Sequence, residues 1–336
     1  MTTLDRCRGA LLGLAVGDAL GAPTEGMTPA EIRARFGRVT DFLTEDAAGT
    51  DDTEYAVLCA RGLLAHGRGI TSDDVAGVWL DAVAAQQGGF HGAGFSEMVA
   101  LANLRSGLRP PQSGSDSYEM WSDGAAMRVA PVGILCMGDP DEAARIAAVD
   151  ASVSHARDGV FCAQAVAAAV AVAMTARDHR DVIEAGVRAL PPDSWSARLV
   201  ARALDVAAAA GSPEAAEEAL YAEIPLFHYP WADAAPEAVA LAFGLFAAHQ
   251  GDFTRVVLAG VNIGRDSDTI AAIVGAMAGA LHGAQAIPER WRTQVAHVSG
   301  RCITATAGTD LVELADRLHA AGQPGPAPRE VALDAR

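Results

Sequence analysis

The chain contains no lysine: all 25 of its basic residues are arginine. The chemical consequence is the same whatever the cause. There is no P-loop lysine, no Schiff-base amine and no anchor for pyridoxal phosphate. Aromatics are also scarce, at 5%, against 51% hydrophobic residues, many of them alanine. That balance suits closely packed helices better than a β-sandwich. Positive charge is in short supply as well. The 42 acidic residues leave a net charge of −17 and a pI near 4.8, which argues against a nucleic-acid or anionic-membrane partner.

The five cysteines (Cys7, Cys59, Cys136, Cys162 and Cys302) are odd in number and lack zinc-ligand spacing. They read as small buried hydrophobes in a reducing compartment. The N-terminal segment lacks a signal-peptide layout, because Gly13, Gly17 and Asp18 interrupt its apolar run. The longest apolar stretch, residues 270–287, carries His282, Gln285 and several glycines and reads as a buried core helix rather than a membrane span. A cytoplasmic protein is expected.

Periodicity predicts helices over residues 4–20, 53–66, 73–86, 141–151, 158–176, 197–210, 213–222, 236–249, 252–261, 268–283 and 309–320. No alternating β-branched run and no hairpin signal is present, so the expected fold class is all-α. Residues 106–124, with Pro110 and Pro111, read as a loop of functional length. A single domain over 1–321 is expected, followed by a disordered tail over 322–336 with Pro324, Pro326 and Pro328. Glycine recurs every fourth residue in the first helix (Gly9, Gly13, Gly17, Gly21) and again near the end (Gly275, Gly279, Gly283). Residues four apart share a helix face, and interior glycine costs about 1 kcal/mol against alanine. Close backbone approach between these two helices is the expected compensation. It would carry Asp18 and Glu25 towards Asp266 and Asp268.

Two acidic cassettes carry the chemistry. Thr50-Asp51-Asp52-Thr53 and Asp266-Ser267-Asp268-Thr269 each stand at the predicted start of a helix. Carboxylate and hydroxyl oxygens are the ligands hard divalent cations prefer, and two such cassettes brought together can hold a pair of metal ions bridged by carboxylates. The alternative is that each is merely an N-cap, since Thr, Asp and Ser accept from free N–H groups there. His155 has a similar alternative as a core or capping histidine, and Glu25 as a surface acid in the turn after Pro23-Thr24. Gly124, Met127 and Arg128 read either as a backbone cradle for phosphate or as a lead-in to a helix stopped by Pro131. Arg128 itself reads as a structural ion-pair partner. The remaining histidines, His91 among them, lack metal-ligand spacing and read as structural.

The run Arg8-Gly9-Ala10-Leu11-Leu12-Gly13-Leu14-Ala15-Val16-Gly17-Asp18-Ala19-Leu20-Gly21 followed by Glu25 resembles the start of the ADP-ribosylglycohydrolase family. So do both cassettes, Asp123-Gly124-Ala125-Ala126-Met127-Arg128 and Ser154-His155, in this order over roughly residues 5–300. The resemblance implies an orthogonal helical bundle whose central cleft holds two magnesium ions, with manganese as an alternative. It implies Thr50, Asp51, Asp52, Asp266, Asp268 and Thr269 as metal ligands, and Glu25, Asp51 and Asp268 as catalytic groups. It implies Ser122, Asp123, Gly124 and Met127 around the diphosphate and proximal ribose, with His155 against the ribose. The implied partner is an ADP-ribosylated protein or a small molecule like ADP-ribose, cleaved at the anomeric carbon. A nucleoside or nucleotide N-glycosidase and a non-catalytic, crystallin-like protein of the same fold are the alternatives. This chain departs from the family in having Arg265 where a glycine is common and Asp123 where an asparagine is usual. Arg265 is a candidate to reach a substrate phosphate or ribose, or else packs over the helix. Asp123 is a candidate for a ribose hydroxyl or a cationic leaving group.

Overall fold

In the computed structural model, residues 1–84, 86 and 94–323 are described; His91 and tail residues 324–336 lie outside them. Among the described residues there are eighteen α-helices and no strand, with only two isolated bridges, Ser122–Ala234 and His297–Asp310. The all-α class is observed, and each helix predicted from periodicity is present with ends shifted by a few residues. Several short helices escaped the periodic pattern. Pro29–Phe36 buries only Ile32 and is held by a capping box between Thr28 and Glu31. Pro131 stands between two short helices: Gly124–Arg128 ends just before it, and it lies in the first turn of Ala130–Leu135, where its missing N–H costs nothing.

The first helix, Thr3–Gly21, and the helix Ser267–His282 run side by side through the core. Their glycines place them. A Cβ on Gly9 would meet Gly279, one on Gly13 would meet Gly275, one on Gly17 would meet Ala271, and one on Gly21 would meet Asp268, each against backbone. As one number rises the other falls, so the helices are antiparallel. The end of the first therefore abuts the start of the second. Ser267 Oγ donates to the Gly21 carbonyl at 3.0 Å and lies 2.9 Å from Thr24 Oγ1. Beyond that junction the backbones pair in both directions, Gly26 N to Arg265 O at 2.7 Å and Arg265 N to Met27 O at 3.0 Å. Glu25 is thus fixed beside Asp266. No helix among the described residues is long and apolar enough to cross a membrane, and all five cysteines are free and buried.

Candidate active site

The first cassette opens the helix Asp51–His66, and the N-cap reading fails there on a specific contact. The Thr50 side chain caps nothing; the cap is Asp18, from the first helix. Asp18 is fully buried and accepts from Thr50 N at 2.8 Å, Thr53 N at 3.0 Å, Thr50 Oγ1 at 2.7 Å and Thr53 Oγ1 at 2.5 Å. Thr50 therefore spends its proton on Asp18 and stands behind the cavity wall rather than on it, keeping oxygen lone pairs. Asp51 and Asp52 are left free of capping duty. The second cassette behaves alike, since Asp266 takes the N-cap position without a side-chain bond to its helix.

The freed carboxylates meet in a cavity of about 400 Å³. Glu25, Asp266 and Asp268 each bring an oxygen within 4.8 Å of the others. Thr269 Oγ1 donates to Asp52 Oδ1 at 3.4 Å, joining the two cassettes directly. Among the described residues, Asp51, Asp123, Asp233 and Glu97 complete a wall of eight carboxylates. The single arginine among its described residues, Arg265, is already paired: its Nε and Nη2 donate to Glu237 at 2.5 and 3.1 Å. Buried oxygens without a partner confirm the imbalance, namely Asp52 Oδ2, Asp268 Oδ1, Asp123 Oδ2 and Asp233 Oδ1. Each would cost a few kcal/mol if left charged and unmet.

Protonation responds in the expected direction. Burial first, then neighbouring carboxylates, pushes Asp51, Asp52, Asp123 and Asp268 well above the usual carboxylate range. Glu25 keeps contact with solvent at the cavity mouth. The protein nonetheless surrounds it closely enough that burial, followed by the charges of Asp266, Asp18 and Asp233, raises it to about 7. Asp233 rises to about 7 for the same reasons, with Asp266 and Glu119 as its strongest charged neighbours. Unpartnered carboxylate oxygens and hydroxyl oxygens, with no free side-chain cation among the described lining residues, make a donor set that fits hard divalent metal ions. Glu25, Asp51, Asp52, Asp266, Asp268 and Thr269 are the residues able to hold them.

The remaining candidates divide. Ser122, Asp123, Gly124, Met127 and Arg265 line the cavity. Gly124 is there to make room, because a Cβ would lie 2.1 Å from Glu97 Oε1. His155 does not reach the wall; it is buried behind Ser122, 3.0 Å from its Oγ. Burial and the charge of Arg128 hold the His155 imidazole well below its usual range, and so neutral. Arg128 is fully buried between Glu97 and Asp150, the structural ion pair expected of it.

Several cavity residues had no sequence argument. Glu97 follows a stretch without clear periodicity. Asp233 sits beside Asp123 because Ser122 bridges Ala234 and Asp123 N donates to the Asp233 carbonyl at 3.0 Å. Phe95 and Trp231 stand exposed at the mouth, edge to face at 6.5 Å. A signal for Trp231 existed: Phe227, Tyr229 and Trp231 crowd five residues of an aromatic-poor chain.

An all-helical protein with paired acidic cassettes facing one cavity is a narrow class. The chain belongs to the ADP-ribosylglycohydrolase family, whose profile matches residues 1–327. A protein of Archaeoglobus fulgidus is 33% identical over 300 residues, covering 85% of this chain and 90% of its own. An ADP-ribosylarginine hydrolase of Pseudomonas putida is 26% identical over 303 residues, 87% of this chain and 75% of its own. A solved structure described as an ADP-ribosylglycohydrolase-related protein complex matches with a TM-score of 0.68 at 26% identity, over 96% of this chain and 99% of that one. The cavity is accordingly the candidate active site of a glycohydrolase.

Proposed function

We propose that the protein is a divalent-metal-dependent hydrolase that cleaves the bond between the anomeric carbon of ADP-ribose and an acceptor, with magnesium as the metal. One observation carries the reading: both cassettes, relieved of capping, turn unpartnered carboxylate oxygens into one cavity beside Glu25. Bound there by Asp51, Asp52, Asp266, Asp268 and Thr269, with Thr50 adjoining, the metal would supply positive charge to bind ribose hydroxyls and to lower the pKa of water. The chain's own groups do the rest. Glycosidic cleavage builds positive charge at the anomeric carbon, which the carboxylate-rich wall favours electrostatically. Glu25, at the mouth beside Asp266 and Asp268, is placed to take a proton from attacking water. Phe95 and Trp231 offer aromatic faces on which a purine can stack.

A second reading is favoured by the paired state of Arg265. With that guanidinium held by Glu237 and Asp123 beside it, the cavity offers a diphosphate no free side-chain cation among its described lining residues. A nucleoside N-glycosidase answers that difficulty. A mass-spectrometric turnover screen with magnesium decides between them, using ADP-ribosyl-arginine, ADP-ribosyl-serine, O-acetyl-ADP-ribose and free nucleosides. Release of ADP-ribose supports the first reading, and cleavage of nucleosides alone replaces it with the second. No turnover of any of these, with magnesium or manganese, would sink both.

A further inference from the structure

Behind the cavity wall lies a closed ring of side chains. Arg128 Nη2 donates to Ser154 Oγ at 3.0 Å, which lies 2.7 Å from His155 Nδ1. His155 Nε2 lies 3.0 Å from Ser122 Oγ, Ser122 Oγ lies 2.9 Å from Ser96 Oγ, and Ser96 Oγ lies 2.5 Å from Glu97 Oε2. Glu97 Oε1 closes the ring by accepting from Arg128 Nη1 at 3.1 Å. Every member is buried.

The two ends settle every proton in between. Arginine only donates and an ionised carboxylate only accepts. Starting from Glu97, Ser96 must give its proton to the carboxylate, so Ser122 must give its own to Ser96. His155 Nε2 must then donate to Ser122, or two oxygen–nitrogen lone pairs would face each other. Starting from Arg128, Ser154 accepts and passes its proton to Nδ1, leaving the same tautomer. Any other arrangement strands a buried donor or acceptor, which costs more than a hydrogen bond returns.

We propose that His155 is a positioning residue: through this one-way ring it holds the Ser122 hydroxyl so that only lone pairs face the cavity, which selects a ligand edge that donates hydrogen bonds. Ser96, its proton likewise spent on Glu97, presents a second acceptor on the same wall. Adjacent hydroxyls of a sugar fit two neighbouring acceptors, whereas a phosphate or carboxylate oxygen meets lone pairs and is rejected. This selection rests on the glycohydrolase reading of the cavity; the proton order of the ring does not.

The test reads the two separately. In the full-length chain labelled with ¹⁵N-histidine, the His155 ring is assigned by its loss in His155→Gln. It is expected to stay neutral, with its proton on Nε2, from about pH 5 to about pH 8. A proton on Nδ1, or an imidazolium in that range, overturns the proposal. Calorimetry with ADP-ribose reads the consequence. His155→Ala removes the N–H that anchors the Ser122 oxygen and should weaken binding on the order of tenfold, the scale of one neutral hydrogen bond. His155→Gln, whose amide can donate to Ser122, should restore most of it. Equal affinities in the wild type and both variants overturn the selection. If the wild type does not bind ADP-ribose, the glycohydrolase reading falls and takes the selection with it, while the His155 tautomer still decides the proton order of the ring.

Discussion

Gly13 and Gly275 meet backbone to backbone: a Cβ built on either would lie 2.1 Å from the carbonyl oxygen of the other. No side-chain rotation relieves such an overlap, so the helices themselves must part. Gly275→Ala should cost about 3 kcal/mol or more by urea denaturation, the upper range of overpacking. Gly77, in the helix Ser72–Ala84, is the control, since nothing lies within 4 Å of its would-be Cβ. Gly77→Ala should stabilise by roughly 0.5–1 kcal/mol. Equal effects at the two sites would mean that the glycine ladder does not set the helix spacing.

That ladder also shows what was legible in the sequence. Spacing of four marked both glycine ridges, and a ridge without side chains has no use except close approach, so the pairing of the first helix with Ser267–His282 could be read directly. The convergence of Glu25 on Asp266 and Asp268 followed from it. The true cap of Asp51–His66 could not be read, because Asp18 lies 32 residues before Thr50 and local capping rules see only a few residues. Glu97 and Asp233 were hidden for a similar reason. They reach the cavity through the buried partner Arg128 and through the isolated Ser122–Ala234 bridge, and neither leaves a periodic trace.

Asp268 separates metal binding from helix capping. Its carboxylate does not cap the helix, and the charge of Asp266 presses on it after the cost of burial. Asp268→Asn should therefore stabilise the metal-free protein, on the order of 1–2 kcal/mol, by removing a carboxyl group that the fold must either protonate or bury charged. In the wild type, magnesium should raise the melting temperature with concentration, as binding to the folded state alone requires. The variant should lose most of that rise. A metal-free variant less stable than the wild type would show that the carboxylate has a structural task instead.

Stability of the metal-free protein should fall as pH rises through neutrality. Glu25 and Asp233 hold their protons up to about 7 in the fold and only to about 4 in an unfolded chain. Between those values the folded state binds more protons, so unfolding releases them and rising pH favours it. Thermal melts in chelator should improve from about pH 7.5 down to about pH 5. Saturating magnesium should flatten or reverse the slope, because the metal binds the deprotonated carboxylates. A metal-free stability that rises with pH over this window would show that these two groups ionise freely in the fold.

Arg265 is the cavity residue whose part can be measured most directly, and two effects oppose each other there. Its backbone takes a positive φ of 59°, a conformation glycine adopts freely, so Arg265→Gly relieves strain on the order of 1 kcal/mol. The same change removes the one cation bonded to Glu237 among the described residues; Glu237 is fully buried and its other described partner is the Leu226 N–H, at 2.6 Å. Stranding a buried carboxylate costs about 3–5 kcal/mol, so the loss outweighs the gain and the single variant should be destabilised by roughly 2–4 kcal/mol. Pairing it with Glu237→Gln, which needs no counter-charge, should recover most of that while keeping the relief of strain. Activity gives the complementary reading. If Arg265 serves through Glu237 rather than through a substrate phosphate, the double variant should keep a KM for ADP-ribosylated substrates within a few-fold of the wild type. A large, phosphate-specific rise in KM in a double variant of restored stability would instead place the guanidinium on the substrate.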